Sequence, residues 1–287
     1  MIVRDKMGAL LVFQTDFTKK EGAVSAMYGV VKSVDRSLEI LESTHDIPRF
    51  DIWSASYRLY QPILFWPEGT IFVSVVDPGV GTARKPCVAK TASGHYIVTP
   101  DNGSLTHVKK HIGLVEVREI DLTRHRLMKN GSQDVAIFHG RDVFAYCAAK
   151  LAAGVIRYEE VGEAYPVEDT VSLPIIDSQI RPMFAQGICE IDDPNFGNIW
   201  TNIPTREAVE NGFAYGQRYR VQIDCRGEVV FDDVLPLVHT FGETGVGQPL
   251  IYNDELNRLA LAINQGHFVN RYGIGYGNDY RITFTQA

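Results

Sequence analysis

The chain is short of several things that would otherwise narrow its function. Its longest unbroken apolar run, residues 143–149, falls far short of the ~18–20 residues a membrane-spanning helix requires. Positive charge is sparse: 28 Lys and Arg stand against 35 Asp and Glu, for a net charge of −7, and no basic run occurs. Nucleic acid and anionic membrane are therefore poor candidates for the main partner. The four cysteines, Cys87, Cys147, Cys189 and Cys225, are far apart with no C-x-x-C and no metal-ligand spacing. They read as reduced, buried thiols of a cytoplasmic protein. Arg4 and Lys6 precede only a brief apolar stretch, 9–13, which ends in Gln14-Thr15-Asp16, so the N-terminus reads as a first strand and not as a signal peptide. Signatures of common enzyme classes are missing too. The run 79–85 lacks P-loop spacing, no G-x-G-x-x-G follows the first strand, and neither H-E-x-x-H nor G-x-S-x-G occurs.

What is present is ordinary globular composition over 287 residues, 45% apolar and 22% charged, enough for two domains. In the first half, short β-rich runs alternate with helical patterns: strands at 8–15, 37–42 and 70–76, and helices at 21–34, 51–64, 104–111 and 140–154. A hairpin at 88–99 turns on Ser93-Gly94. Alternation of this kind predicts an α/β unit, a mostly parallel sheet covered by helices, over 1–165. Prolines 166, 174 and 182 mark a linker over 166–185. From 186 to 287 the runs are short and β-like, with one helix near 205–211 and hairpin chemistry at Arg226-Gly227, which predicts a smaller all-β barrel.

Polar clusters fall at the predicted strand ends. Asp77 leaves a buried strand in VVDPGVGTAR, a place where open α/β sheets put ligand crevices, although an Asp before Pro is also common turn chemistry. His139, in FHGRD ahead of the Ala-rich helix, reads as a catalytic imidazole or as a structural one. DPNFGNIWTN, residues 193–202, carries side chains able to grip amine and carboxylate groups; a turn explains its Asp, Pro, Asn and Gly equally well, but not Trp200.

In combination and order, TDF, VVDPGVGTAR, PDNG, FHGRDVFA and DPNFGNIWTN resemble the S-adenosyl-L-methionine hydroxide adenosyltransferase family, related to enzymes that fluorinate or chlorinate the same substrate. The resemblance runs over about 15–285. It implies an N-terminal α/β domain, a C-terminal β-barrel domain, and a homotrimer whose substrate lies between the N-domain of one subunit and the C-domain of the next. It implies further that Asp77, Arg84 and His139 handle water. Asp193 and Asn198, with Phe196 and Trp200 beside them, would hold the methionine amine and carboxylate. Asp16 belongs to the first substrate loop, Phe50 and Phe241 flank the nucleoside, and Tyr272 lies in the adenine loop. Three positions depart from the family pattern: Glu21 replaces a ribose-gripping Asp, Thr18 replaces a Gly after T-D-F, and the adenine loop reads NRYGIG.

The implied reaction is attack of water on the ribose C5′ of S-adenosylmethionine, releasing adenosine and methionine. Beside an Arg, Asp77 is cast as an orienter and field source, and His139 as the proton acceptor or relay. The leaving sulfonium already carries its charge, so no metal or other cofactor is required. Two rival readings are a halide in place of water and a non-catalytic S-adenosylmethionine-binding module.

Overall fold

A computed structural model of the chain describes residues 9–128, 135 and 137–287. Arg4, Lys6 and Gly8, used above to read the N-terminus, lie outside the described residues. The chain divides into two compact units, one ending at Leu173 and one beginning at Pro174.

The first unit is built on a seven-stranded sheet. Its strands are β1 (Leu11–Thr15), β2 (Ile40–Thr44), β3 (Ile71–Val75), β4 (Pro86–Thr91), β5 (Tyr96–Pro100), β6 (Leu114–Glu119) and β7 (Ala164–Tyr165), in the order β2-β1-β3-β5-β4-β6-β7. Every residue of β1 and β3 is buried. Such continuous apolar strands need cover on both faces, and alternate residues supply it. Leu11, Phe13, Val73 and Val75 point into a core shared with α1 (Ala23–Val34). Val12 and Phe72 point into the opposite core, shared with α2 (Ile52–Ile63) and α3 (Thr106–His111). A short α4 (Leu122–His125) follows β6, and a π-helical segment, Gly140–Ala145, runs into α5 (Tyr146–Ala152) on the α1 side. Asp51 caps α2 by accepting from the Ser54 amide.

The expected parallel sheet holds for β2, β1, β3 and β5. Beyond them every pairing is antiparallel, because β4 runs against both β5 and β6, and β7 against β6. The reversal of β4 comes from the β4–β5 hairpin, whose turn carries Gly94 at φ +79°. That reversal brings the start of β4 to the same edge as the end of β3. Residues either side of the 76–85 loop thereby become neighbours.

In the second unit every pair of strands is antiparallel, and one isolated parallel bridge closes the path. Its strands β8 (Gln179–Arg181), β9 (Phe184–Asp192), β10 (Ile199–Pro204), β11 (Arg218–Cys225), β12 (Glu228–Pro236), β13 (Pro249–Asn253), β14 (Arg258–Ile263) and β15 (Tyr280–Gln286) follow the path β12-β11-β15-β9-β10-β14-β13, with β8 beside β9. The path curls until its ends meet: Leu237, just past β12, bridges Ile251 of β13, and the Val238 amide donates to the Ile251 carbonyl at 2.9 Å. Phe213, Tyr219, Phe231, Phe268 and Phe284 fill the interior of this nearly closed barrel. Helices α6 (Thr205–Glu210) and α7 (Phe268–Tyr272) interrupt the strands, the latter ending in a left-handed Gly273. All four cysteines are free thiols. No helix among the described residues is long and apolar enough to cross a membrane.

Candidate active site

The carboxyl ends of the parallel strands gather the polar motifs of the first unit. Asp16 follows β1, Asp77 follows β3, and Asp101-Asn102 follow β5. Arg84, delivered to the same edge by the antiparallel β4, grips Asp77 with a fork. Nε lies 2.9 Å from Oδ1 and 3.0 Å from Oδ2, and Nη2 also bonds Oδ2. Both side chains are nearly buried, and the guanidinium sits 5.3 Å from the centre of the buried Phe144 ring.

Nη2 of Arg84 also lies 2.8 Å from Nδ1 of His139, at the start of the π-helical segment. A guanidinium has donors and no acceptor, so Nδ1 is the acceptor. In the neutral ring the proton is therefore on Nε2. Burial first, and then the Arg84 charge, hold the imidazole below the ordinary histidine range, with Asp77 partly opposing. The ring is thus neutral near pH 7, with Nε2–H left to act as a donor.

His139 and Asp77 line a depression of about 90 Å³ together with Asp16, Phe17, Phe50 and Phe138. A larger hollow of about 660 Å³, beside Leu38 and Leu151, holds none of these groups. Asp16 accepts from the Phe50 amide at 2.9 Å. Burial pushes its carboxyl up, opposed by that bond and reinforced by Asp77. Phe50, at φ +65°, is 69% exposed at the rim. Glu21 serves elsewhere: its carboxylate accepts from the Ala23 amide at the start of α1. Gly140 leaves room for Phe17, since a Cβ there would come within 3.2 Å of that ring.

PDNG is a strap that motif reading did not assign. Asn102 Nδ2 donates to the Val76 carbonyl at 2.9 Å, and the Asp101 amide to the Lys85 carbonyl at 2.8 Å. Both ends of the loop carrying Asp77 and Arg84 are tied down in this way.

In the second unit, the 193–198 loop joins β9 to β10. Asp193 Oδ1 accepts from the amides of Asn195 (2.9 Å) and Phe196 (3.1 Å), which closes the turn and leaves Oδ2 for other work. Phe196 is exposed. Asn198 and Trp200 converge on a residue that sequence reading missed, Tyr252. Trp200 Nε1 donates to its hydroxyl at 2.9 Å, and the Asn198 side chain also bonds it. Phe241 packs edge-on against the same Tyr252 ring at 4.9 Å. Tyr272, expected in a ligand loop, is a packing residue of α7, with its ring against Phe231 and Phe268. His267 was also missed. It lies against Gly197, where any Cβ would fall 1.9 Å from Nδ1. Neither Tyr252 nor His267 belongs to a recognisable motif; contact across strands reveals the first, and packing on the 193–198 loop the second.

These features place the chain among two-part proteins in which an α/β unit with a buried carboxylate–guanidinium–imidazole trio precedes a nearly closed β unit. More narrowly, it belongs to the SAM hydroxide adenosyltransferase family. Residues 11–162 match that family's N-terminal domain and residues 187–281 its C-terminal domain. An (R)-S-adenosyl-L-methionine hydrolase of Salinispora tropica is 30% identical over 274 residues, covering 94% of this chain and 96% of the relative. A fluorinase of an Actinoplanes species is 28% identical over 307 residues, covering 97% and 98%. A crystal structure of an uncharacterized conserved protein from Thermotoga maritima superposes with a TM-score of 0.87 at 32% identity, covering 96% of this chain and all of that one.

Proposed function

We propose that this chain hydrolyses S-adenosyl-L-methionine at the ribose C5′, giving adenosine and L-methionine. Full-length similarity to hydrolases that bear that name supports the reading. The observation that carries the mechanism is the Arg84 fork, which holds Asp77 with one hand and Nδ1 of His139 with the other. The water oxygen attacks C5′ in line with the departing sulfur, and the C5′–S electron pair returns to sulfur as a neutral thioether. Water becomes strongly acidic only as it bonds to carbon, so a weak carboxylate base suffices. Arg84 covers the inner side of the Asp77 carboxylate, whose remaining lone pairs accept the proton. His139 supplies its Nε2–H as an orienting donor. This is the reverse of the acceptor role expected for it from sequence, because its other nitrogen is already engaged. Positioning of this kind is a major source of rate.

The reading assigns the ribose to Asp16 and the rim aromatic Phe50. The methionine end goes to Asp193, Asn198 and Trp200, with Phe196 and Phe241 alongside. We place the first group on one subunit and the second on its neighbour in a homotrimer in the cytoplasm, working without metal or other cofactor. Each unit by itself holds half of the required groups, and free thiols, buried at Cys87, Cys147 and Cys189 and half-buried at Cys225, suit that compartment.

Incubation with S-adenosylmethionine in ¹⁸O-water, followed by mass spectrometry, tests the function. Adenosine labelled at the 5′-oxygen is expected; unchanged ligand or an unlabelled product overturns it. Light scattering across a dilution series tests the assembly, and activity persisting in a monomeric fraction overturns it.

A further inference from the structure

Thr15-Asp16-Phe17-Thr18 makes a turn that its sequence does not favour. Thr18 stands at φ +56°, a left-handed conformation in which a β-branched residue is strained. Something must hold it there, and His45, 3% exposed and thirty residues away, touches the turn at both ends. Its carbonyl accepts from the Thr18 amide at 2.8 Å. Its ring Nδ1 lies 2.9 Å from the Thr15 hydroxyl, which in turn accepts from the Phe17 amide at 3.1 Å.

The direction of every bond in this chain is set from its far end. Glu42 can only accept, so Tyr28 donates its single hydroxyl proton to Glu42 at 2.8 Å, and Lys19 holds the other carboxylate oxygen. Tyr28 Oη must then accept from His45 Nε2, 2.8 Å away. With the proton on Nε2, Nδ1 of the neutral ring has a lone pair for the Thr15 hydroxyl. Burial favours that neutral form by holding the imidazole below the ordinary range. All five groups are satisfied in one arrangement.

We propose that His45 is a positioning residue: locked as its Nε2–H form by Tyr28 and Glu42, it clamps the strained Thr15–Thr18 turn and so sets the Asp16 carboxylate for a pair of ribose hydroxyls. The ligand half of this inference rests on the function proposed above; the clamp itself does not.

Two readouts separate the halves. In the unliganded protein, H45L is expected to speed hydrogen exchange of the Phe17 and Thr18 amides by about tenfold or more, the scale of a lost buried hydrogen bond. By calorimetry H45L is expected to weaken adenosine by about tenfold while leaving L-methionine within about threefold. H45Q, whose amide can accept from Thr15 and donate to Tyr28, is expected to restore most of both effects. Unchanged exchange in H45L, equal weakening of the two ligands, or H45Q no better than H45L would overturn the clamp. Faster exchange in H45L alongside a wild-type protein that binds no adenosine would keep the clamp and overturn the nucleoside assignment.

Discussion

Arg84 and His139, 55 positions apart in the chain, meet through Nη2 and Nδ1 at 2.8 Å. That contact decides which ring nitrogen carries the proton, and through it the chemistry open to each member of the trio.

If His139 donates and Asp77 accepts, amide replacements should separate them. Asp77→Asn is expected to lower kcat for adenosine formation by ~10²–10⁴, the usual worth of a general base. Arg84→Ala is expected to fall in the same range, since it frees both partners. His139→Gln keeps an N–H donor and should retain clearly more activity than His139→Leu. Equal loss in the Gln and Leu variants, measured by steady-state product formation, would return the base role to His139.

The pH profile should carry the same signature. Burial and Arg84 lower the His139 pKa, so kcat/KM should be level through neutrality. It should fall only below the ordinary histidine value of about 6.5, as Nδ1–H forms against a guanidinium. Linkage runs in the same direction. A histidine that binds its proton less readily when folded contributes stability that is complete above the unfolded value and is lost as pH falls from there through the lower folded value. A ¹⁵N-resolved titration of the His139 ring checks both statements, and a midpoint above the ordinary value would contradict them.

Asp193 is asked to do two things, closing its own turn through Oδ1 and presenting a charge. Asp193→Asn preserves the acceptor for the Asn195 and Phe196 amides while removing the charge. Calorimetry is expected to show methionine and S-adenosylmethionine binding weakened by ~2–5 kcal/mol, the cost of an unpaired buried ammonium, with adenosine unaffected. Retention of methionine affinity would confine Asp193 to its turn.

A halide should not replace water. The Asp77 carboxylate lines the depression where the anion would sit, and two anions a few ångströms apart repel by several kcal/mol at an effective dielectric of ~20. Reaction in molar chloride or fluoride is expected to yield adenosine, with no 5′-halo-5′-deoxyadenosine by mass spectrometry. The halogenated nucleoside as main product would overturn this placement of Asp77.

Away from the trio, burial pushes the Asp254 carboxyl up to about 7, although the amides of Leu256 and Arg258 both donate to it. The folded protein therefore holds this proton more tightly than the unfolded chain. The contribution of Asp254 to stability should decline as pH rises from the unfolded carboxylate value to about 7 and stay level above it. Urea unfolding should show wild type losing stability relative to Asp254→Asn, on the order of a few kcal/mol, over that window. A pH-independent difference would contradict the burial argument.

Much of the architecture could be read from residues near one another in the chain. The buried β-branched runs at β1 and β3, the helical spacing of Val24, Met27 and Val31, and the Ser93-Gly94 turn are local patterns, and each formed the expected element. Strand pairing is not local: the Ser93-Gly94 turn announced the β4–β5 pair, but nothing in the sequence set β6 against β4 or β7 against β6. β10 was hidden behind the turn residues of the 193–198 loop, and α7 behind the NRYGIG string expected to be a loop. The motifs singled out Asp77, Arg84 and His139 but could not say who donates to whom, since the protonated nitrogen of a histidine depends on the partner it meets. The same is true of His45, which no motif contains and whose proton is placed by Tyr28 and Glu42. Sequence by itself determined which segments would be buried and which polar groups would stand at strand ends, because periodicity and turn chemistry act over a few residues. The tertiary structure alone decided the direction of each hydrogen bond, because a donor has no direction until folding brings an acceptor to it.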